Sequence, residues 1–260
     1  MRAFRSTVRA MPAQTILITG ASSGLGAALA RAYAAPGRRL VLSGRDADRL
    51  AATAAVCRAQ GAAAVEWPYD LRQTDALADA LWRVDAGTPI DLAILNAGLG
   101  GFAGPDRHVE PVERAHAVAS VNFTATVIAA TALAERMAAR GRGHIAIVGS
   151  IAESFPLPMA PTYAASKAGL RLFAEALDLR LAPRGVRVSL ISPGFIETPM
   201  SRGLPFPKPF VMDVERAAQT LVRRLERRPR RIVIPWPFAV LRACAAVLPR
   251  GAVRAVLKRF

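Results

Sequence analysis

The stretch Thr15-Ile16-Leu17-Ile18-Thr19-Gly20-Ala21-Ser22-Ser23-Gly24-Leu25-Gly26 decides the reading of the chain. A short β-type run enters a Gly/Ser turn, and a helical segment around 25–35 follows. A strand that is apolar at consecutive positions is buried on both faces, as strands inside parallel sheets are. The glycines then have separate uses. Gly20 permits a tight turn, Gly24 lets backbone N–H groups approach a phosphate, and Gly26 lets the helix lie close to the sheet. The helix N-terminus favours the anion, so Gly20, Ser22, Ser23, Gly24, Leu25 and Gly26 form a candidate phosphate-binding turn.

The same rhythm continues outward. Apolar runs at 39–43, 63–67, 91–95, 144–148, 186–191 and 231–234 alternate with helical stretches near 46–60, 74–85, 111–140, 161–182 and 213–227. Strand–helix–strand repetition of this kind predicts parallel pairing with right-handed crossovers. The expected fold class is α/β: one doubly wound, Rossmann-type parallel sheet with helices on both faces, spanning 14–235. A short basic extension at 1–13 precedes it, and a basic amphipathic extension at 236–260 follows. The Pro/Gly-rich stretch 193–209 breaks the rhythm and predicts a loop over a site.

Composition narrows the classes. With 52% hydrophobic and 21% charged residues among 260, the chain has material for a core and is not a disordered one. Two cysteines, Cys57 and Cys244, leave no disulfide framework and no cysteine-rich metal site, so no metal is expected. No charge-free apolar run of spanning length is read, and the first 14 residues lack the apolar core of a signal peptide. The expected compartment is the cytoplasm. The formal net charge is +16, and residues 202–260 hold 14 basic and three acidic residues, so the body is nearly neutral. Concentrated basicity points to a polyanionic partner or surface, or to solvated tails.

The segment Tyr163-Ala164-Ala165-Ser166-Lys167 places a phenol and an ammonium at i and i+4, on one helix face. A cation near a phenol stabilises phenolate and makes a general acid/base for a hydroxyl or carbonyl. Ser150 lies at the end of the fifth strand, Asn122 in the long helix before it, and Asn96-Ala97-Gly98 after the fourth strand. Pro193-Gly194 ends the sixth strand, with Thr198 beyond it. All of these belong to the sheet edge where open parallel sheets bind ligands.

With TGASSGLG at 19–26, NAG at 96–98, Asn122 in SVNF, Ser150, YAASK at 163–167 and PGFIETP at 193–199, the chain resembles the short-chain dehydrogenase/reductase family over about 14–235. The resemblance implies a reaction between a carbonyl and a secondary alcohol. Tyr163 would exchange the proton. Lys167 would lower the Tyr163 pKa and bind the nicotinamide ribose. Ser150 would hold the substrate oxygen, and Asn122 would anchor a water of a proton relay. It also implies that Asn96 and Gly98 line the cofactor cleft, that Asp70 reaches the adenine edge, and that Pro193, Gly194 and Thr198 meet the nicotinamide end. A homo-oligomer, dimer or tetramer, is implied as well. Gly149 and Glu153 depart from a frequent serine and a frequent glycine, and Glu153 is expected to be solvated.

Ser43-Gly44-Arg45-Asp46 follows the second strand. An NAD enzyme wants a carboxylate at that strand end, whereas an arginine suits a 2′-phosphate. Gly44 stands where the acid would be, so Arg45 predicts NADP(H) over NAD(H), with Asp46 capping the next helix. Two function classes follow: an NADP(H)-dependent reductase or dehydrogenase, with 3-oxoacyl reduction as the second substrate choice, and a non-catalytic nucleotide-binding protein used for regulation or assembly. Leu204, Phe206, Phe210, Val211 and Met212 suggest a lipophilic substrate. From Arg227 to Phe260 there is no acid, and a helix at 249–260 would align Arg250, Arg254 and Lys258. That tail reads either as an anionic-membrane element, peripheral at the surface, or as a helix packed on its own body. Nucleic acid is not expected, because no recognition module accompanies the basic stretch.

Overall fold

In the computed structural model, residues 14–102, 109–204 and 207–247 are described. Seven parallel strands form one sheet: β1 (Thr15–Thr19), β2 (Arg39–Gly44), β3 (Ala63–Pro68), β4 (Leu92–Leu95), β5 (Gly143–Val148), β6 (Val186–Pro193) and β7 (Arg231–Ile234), in the order β3-β2-β1-β4-β5-β6-β7. Every β1 residue is buried. Ile16 and Ile18 enter one core while Leu17 enters the other, because successive strand side chains point to opposite faces. This is the doubly wound sheet that the apolar runs predict.

On the Ile16 and Ile18 face lie α1 (Gly24–Tyr33), α2 (Ala47–Ala59) and α8 (Val214–Leu225), through Leu25, Leu29, Leu50, Cys57 and Leu221. The other face carries α3 (Leu77–Gly87), α5 (Ala125–Ala139) and α6 (Pro161–Leu181), through Leu81, Leu133, Leu170 and Ala174. Helix starts follow local chemistry. Asp46 caps α2 by accepting from the Arg49 N–H at 2.9 Å, and Pro161 opens α6, where a missing N–H costs nothing. The chain order reverses beside β1, which has β2 on one side and β4 on the other. A crevice therefore opens at the carboxyl ends of β1 and β4.

Three expectations need correction: the continuous helix at 111–140, the lack of an apolar stretch of spanning length, and the irregular loop at 193–209. The helix expected at 111–140 is α4 (Val112–Ala119), a π turn at Ser120–Thr124, and then α5. This stretch, Val112–Ala139, is long and apolar enough to cross a membrane by length and composition, contrary to the sequence reading, yet 56% of its most apolar window is buried inside the fold. The 193–209 loop contains a short helix, α7 (Pro199–Arg202), whose cap Thr198 exchanges hydrogen bonds with Ser201. Beyond β7, α9 (Pro237–Val247) packs on the body, and Phe238 is only 5% exposed. The 1–13 extension, Phe206 and the helix read at 249–260 lie outside the described residues.

Candidate active site

The glycine turn after β1 is shaped by close approach. Gly20 and Gly24 have φ of +69° and +53°, the left-handed region that favours glycine. A Cβ on Gly26 would collide with the Gly20 carbonyl and lie 2.6 Å from Asn96 Nδ2. Asn96 staples β4 to β1: its Nδ2 donates to the Thr19 carbonyl at 3.0 Å, and its N–H donates to the Thr19 hydroxyl at 3.0 Å. Ser23 occupies the N-cap of α1 without a side-chain capping bond, so it does not compete for the N–H groups at the helix start. Such a helix start is an anion site. Thr198 borders the same turn, its Cγ2 lying 3.3 Å from where a Gly24 Cβ would be.

At the edge of β2, a Cβ on Gly44 would sit 3.0 Å from the Ser22 Cβ and Oγ. The exposed Arg45 follows. Asp70, after β3, is held by the Arg72 guanidinium through contacts of 3.1, 2.9 and 2.5 Å. Arg72 first, with Arg45 as a minor contributor, holds the Asp70 carboxyl below its ordinary range. At the other end of the crevice, Pro193 ends β6, and the Gly194 N–H donates to the Ile234 carbonyl at 2.7 Å. The Phe238 ring covers Gly194 so closely that any Cβ there would strike it. Phe238 also meets Phe195 and Phe210 edge-on, with centroids 6.1 and 5.7 Å away.

Between these ends lie Asn122, Ser150, Tyr163 and Lys167. Asn122 sits on the π turn, fully buried. Its Oδ1 accepts from the Leu99 N–H at 2.7 Å and its Nδ2 donates to the Leu99 carbonyl at 2.9 Å, which clamps the helix to the loop after β4. Single π turns inside helices are often found at functional sites. A Cβ on Gly98 would lie 3.3 Å from Asn122 Oδ1 and 3.7 Å from Lys167 Nζ, so both side chains converge there. Ser150 caps a one-turn helix at Ile151–Ser154, its Oγ accepting from the Ala152 N–H at 3.1 Å.

Lys167 is 4% exposed, and its Nζ donates to the Val148 carbonyl at 2.9 Å, 5.7 Å from the Tyr163 ring centroid. Burial lowers the Lys167 pKa to about 8. Burial also pushes the Tyr163 phenol up, while a hydrogen bond to the Ser150 hydroxyl pulls it part of the way back. A protonated phenol beside a serine hydroxyl and a buried amine can donate a proton to an oxygen held between them.

Glu153 departs from the solvated state expected of it. Its side chain is fully buried, its Oε1 accepts from Ser192 Oγ at 2.9 Å, and Arg231 pairs with it. Two further residues shape the site with little mark in the sequence. Gly101 lets the loop after β4 reach Tyr163, since a Cβ there would collide with the Tyr163 Cβ. Its only sequence signal is the pair Gly100-Gly101 after NAG. Arg231 gave none, because its partners lie far along the chain. Among the described residues, no group of His, Cys, Asp and Glu side chains could hold a metal ion.

Known proteins share this sequence pattern and fold. A short chain dehydrogenase family profile matches residues 14–206. An uncharacterized oxidoreductase of Myxococcus xanthus is 34% identical over 251 residues, covering 96% of this chain and 98% of its own. A short-chain dehydrogenase from Sphingobium yanoikuyae, solved in complex with NADPH, superposes with a TM-score of 0.79 at 29% identity over 91% of this chain and 96% of its own. The bulky-bulky ketone specific alcohol dehydrogenase from Comamonas testosteroni gives 0.76 at 27% identity over 92% and 96%. The glycine turn, the Ser150–Tyr163–Lys167 cluster and these matches lead to one conclusion: the chain belongs to the short-chain dehydrogenase/reductase family, NAD(P)-dependent oxidoreductases acting on CH–OH and C=O groups.

Proposed function

We propose that the protein interconverts a carbonyl and a secondary alcohol on a lipophilic small molecule, with NADP(H) as redox partner. The observation that carries this reading is the meeting of Ser150, Tyr163 and Lys167 past the carboxyl end of β5, within the crevice that opens beside β1. The site fits a dinucleotide: the positive-φ glycine turn and the uncapped start of α1 suit a pyrophosphate, and Gly98 leaves the space beside Asn122 and Lys167 open. When bound, NADPH supplies the hydride. Tyr163 gives its proton to the carbonyl oxygen while the Ser150 hydroxyl holds that oxygen. Lys167 stabilises the phenolate left behind and would hold the nicotinamide ribose. Asn122, packed against Gly98 with Lys167, supports the relay that returns a proton. Pro193, Gly194 and Thr198 would hold the nicotinamide end.

The preference for NADP(H) draws support from Arg45 beside Gly44 and from the NADPH held by the Sphingobium enzyme. A lipophilic substrate suits the Phe195, Phe210 and Phe238 cluster. The test is NADPH oxidation with aryl and medium-chain aliphatic ketones, Tyr163→Phe serving as the blank. Tight NADPH binding without turnover across the panel would favour a nucleotide-binding role instead.

A second reading concerns location. Trp236, Val240 and Leu241 are 70%, 51% and 47% exposed, although Phe238 between them is buried. We propose that this exposed face, in a chain whose sequence carries no acid from Arg227 to Phe260, rests on an anionic membrane surface. Full-length protein should then sediment with phosphatidylserine vesicles but not with neutral ones. Salt should release it, as the Debye length falls from about 10 Å at 0.1 M to about 3 Å at 1 M. The triple substitution Trp236→Ser, Val240→Ser, Leu241→Ser should abolish sedimentation without unfolding the protein. A substituted protein that still sediments would refute the role of this face.

A further inference from the structure

Glu153 is a buried titratable group that the proton transfer does not use. It sits in the one-turn helix that Ser150 caps, and its N–H donates to the Ser150 carbonyl at 3.1 Å. Its carboxylate reaches in two directions. Oε1 accepts from Ser192, next to Pro193-Gly194, and pairs with Arg231 at the start of β7. Arg231 Nη1 also lies 3.5 Å from Glu175 on α6, the helix that carries Tyr163 and Lys167. Oε2 is buried with no hydrogen-bond partner among the described residues, pressed against Gly149: a Cβ there would lie 2.8 Å from it.

The two departures from the family's commoner residues thus explain each other. Any side chain at 149 would contest the space that the Glu153 carboxylate fills, so a glycine there admits the buried glutamate. A buried ion pair with an unsatisfied oxygen is a poor stabiliser, since desolvation offsets much of its attraction. Its effect lies in geometry. The carboxylate is wedged behind the backbone of 149–150, and its other oxygen ties that turn to β6, β7 and, through Arg231, to α6.

We propose that Glu153 is a positioning residue: wedged between Gly149, Ser192 and Arg231, its side chain fixes the turn that presents the Ser150 hydroxyl to Tyr163. This rests on the reading that Ser150 holds the substrate oxygen, so the test separates the two. Four full-length proteins are compared with acetophenone and NADPH: wild type, Glu153→Gln, Ser150→Ala and the double variant. Glu153→Gln keeps the shape and removes the charge that anchors Arg231. Its kcat should fall about 10- to 100-fold, the scale of a small misplacement at a reacting centre, with NADPH affinity unchanged. In the Ser150→Ala background the same change should cost almost nothing further, because the group it positions is gone. A wild-type kcat for Glu153→Gln, or an equal loss with and without Ser150, overturns the proposal. A wild-type kcat for Ser150→Ala sinks the Ser150 reading itself.

A second arm needs no turnover and tests the wedge from its other side. Gly149→Ala should lower Tm in the wild-type background and much less in Glu153→Gly, where the carboxylate has been removed. The tight approaches of Leu190 Cδ1 at 3.1 Å and the Ile191 carbonyl at 3.2 Å are common to both backgrounds and cancel in the comparison. Equal Tm losses in the two backgrounds would show that Glu153 does not contest that space, and would overturn the wedge even if Glu153→Gln failed to fold.

Discussion

Tyr163→Phe should bind NADPH as wild type does and reduce ketones about 10²–10⁴-fold more slowly, the range expected for the loss of a general acid. Phenylalanine keeps the ring and the close approach of Gly101 to the Cβ at 163, and removes only the hydroxyl. The direction of the Tyr163 pKa makes the loss specific. Burial raises the phenol, so it is protonated at neutral pH and ready to donate as hydride reaches the carbonyl carbon. The check is kcat with NADPH and with its 4-deuterated form, since an isotope effect certifies that chemistry limits the rate. A folded variant with near-wild-type kcat under those conditions would refute the assignment.

Lys167 adds a pH signature. Its pKa is lowered to about 8 by burial, so its charge is present at pH 7 and is lost above about 8. Proton donation by Tyr163 leaves a phenolate that the ammonium stabilises, and ketone reduction should decline as pH rises through that value. Lys167→Met should give a low rate without this limb, and a limb that persisted would belong to another group. The fold responds in the opposite direction. Between about 8 and the ordinary lysine value the unfolded chain binds more protons, so the Lys167 contribution to stability rises with pH across that window. At neutral pH this buried charge costs the fold something that the reaction needs.

The sheet was legible because its evidence is local. Ile16, Leu17 and Ile18 are apolar in succession, and Gly20, Gly24 and Gly26 follow at the spacing that a strand–turn–helix phosphate site needs. What was not legible depends on distant partners. No residue within Ser120–Thr124 announces a π turn; its Asn122 is bonded to the Leu99 backbone, 23 positions away. Glutamate alone reads as a surface residue, and Glu153 is buried because Ser192 and Arg231, 39 and 78 positions on, come to meet it. The aromatic cover over Gly194 was hidden for the same reason. Phe238 lies past the last strand, in a stretch whose basic neighbours suggest a tail, and only the third dimension brings it onto the end of β6.

Arg45→Ala should weaken NADPH binding by about 1.5–3 kcal/mol, or about 10- to 150-fold, and leave NADH binding within about twofold. Only NADPH carries the 2′-phosphate, and the end of β2 offers that group the exposed cation of Arg45. Gly44, where a carboxylate would favour NAD, faces Ser22 so closely that a side chain there would have to displace it. The two nearby carboxylates are already engaged: Asp46 caps α2 and pairs with Arg49 at 2.7 Å, and Asp70 is gripped by Arg72. Among the described residues no carboxylate lies within ion-pair distance of Arg45, so its guanidinium is available for a bidentate grip on phosphate. Fluorescence titration of both cofactors at one ionic strength gives the comparison, and equal losses would show that Arg45 does not read the phosphate. Kinetics should separate in the same way. The 2′-phosphate is remote from the reacting carbon and is held alike in ground and transition states. Arg45→Ala should therefore raise the KM for NADPH while kcat at saturation stays near wild type, whereas Tyr163→Phe lowers kcat and leaves binding intact.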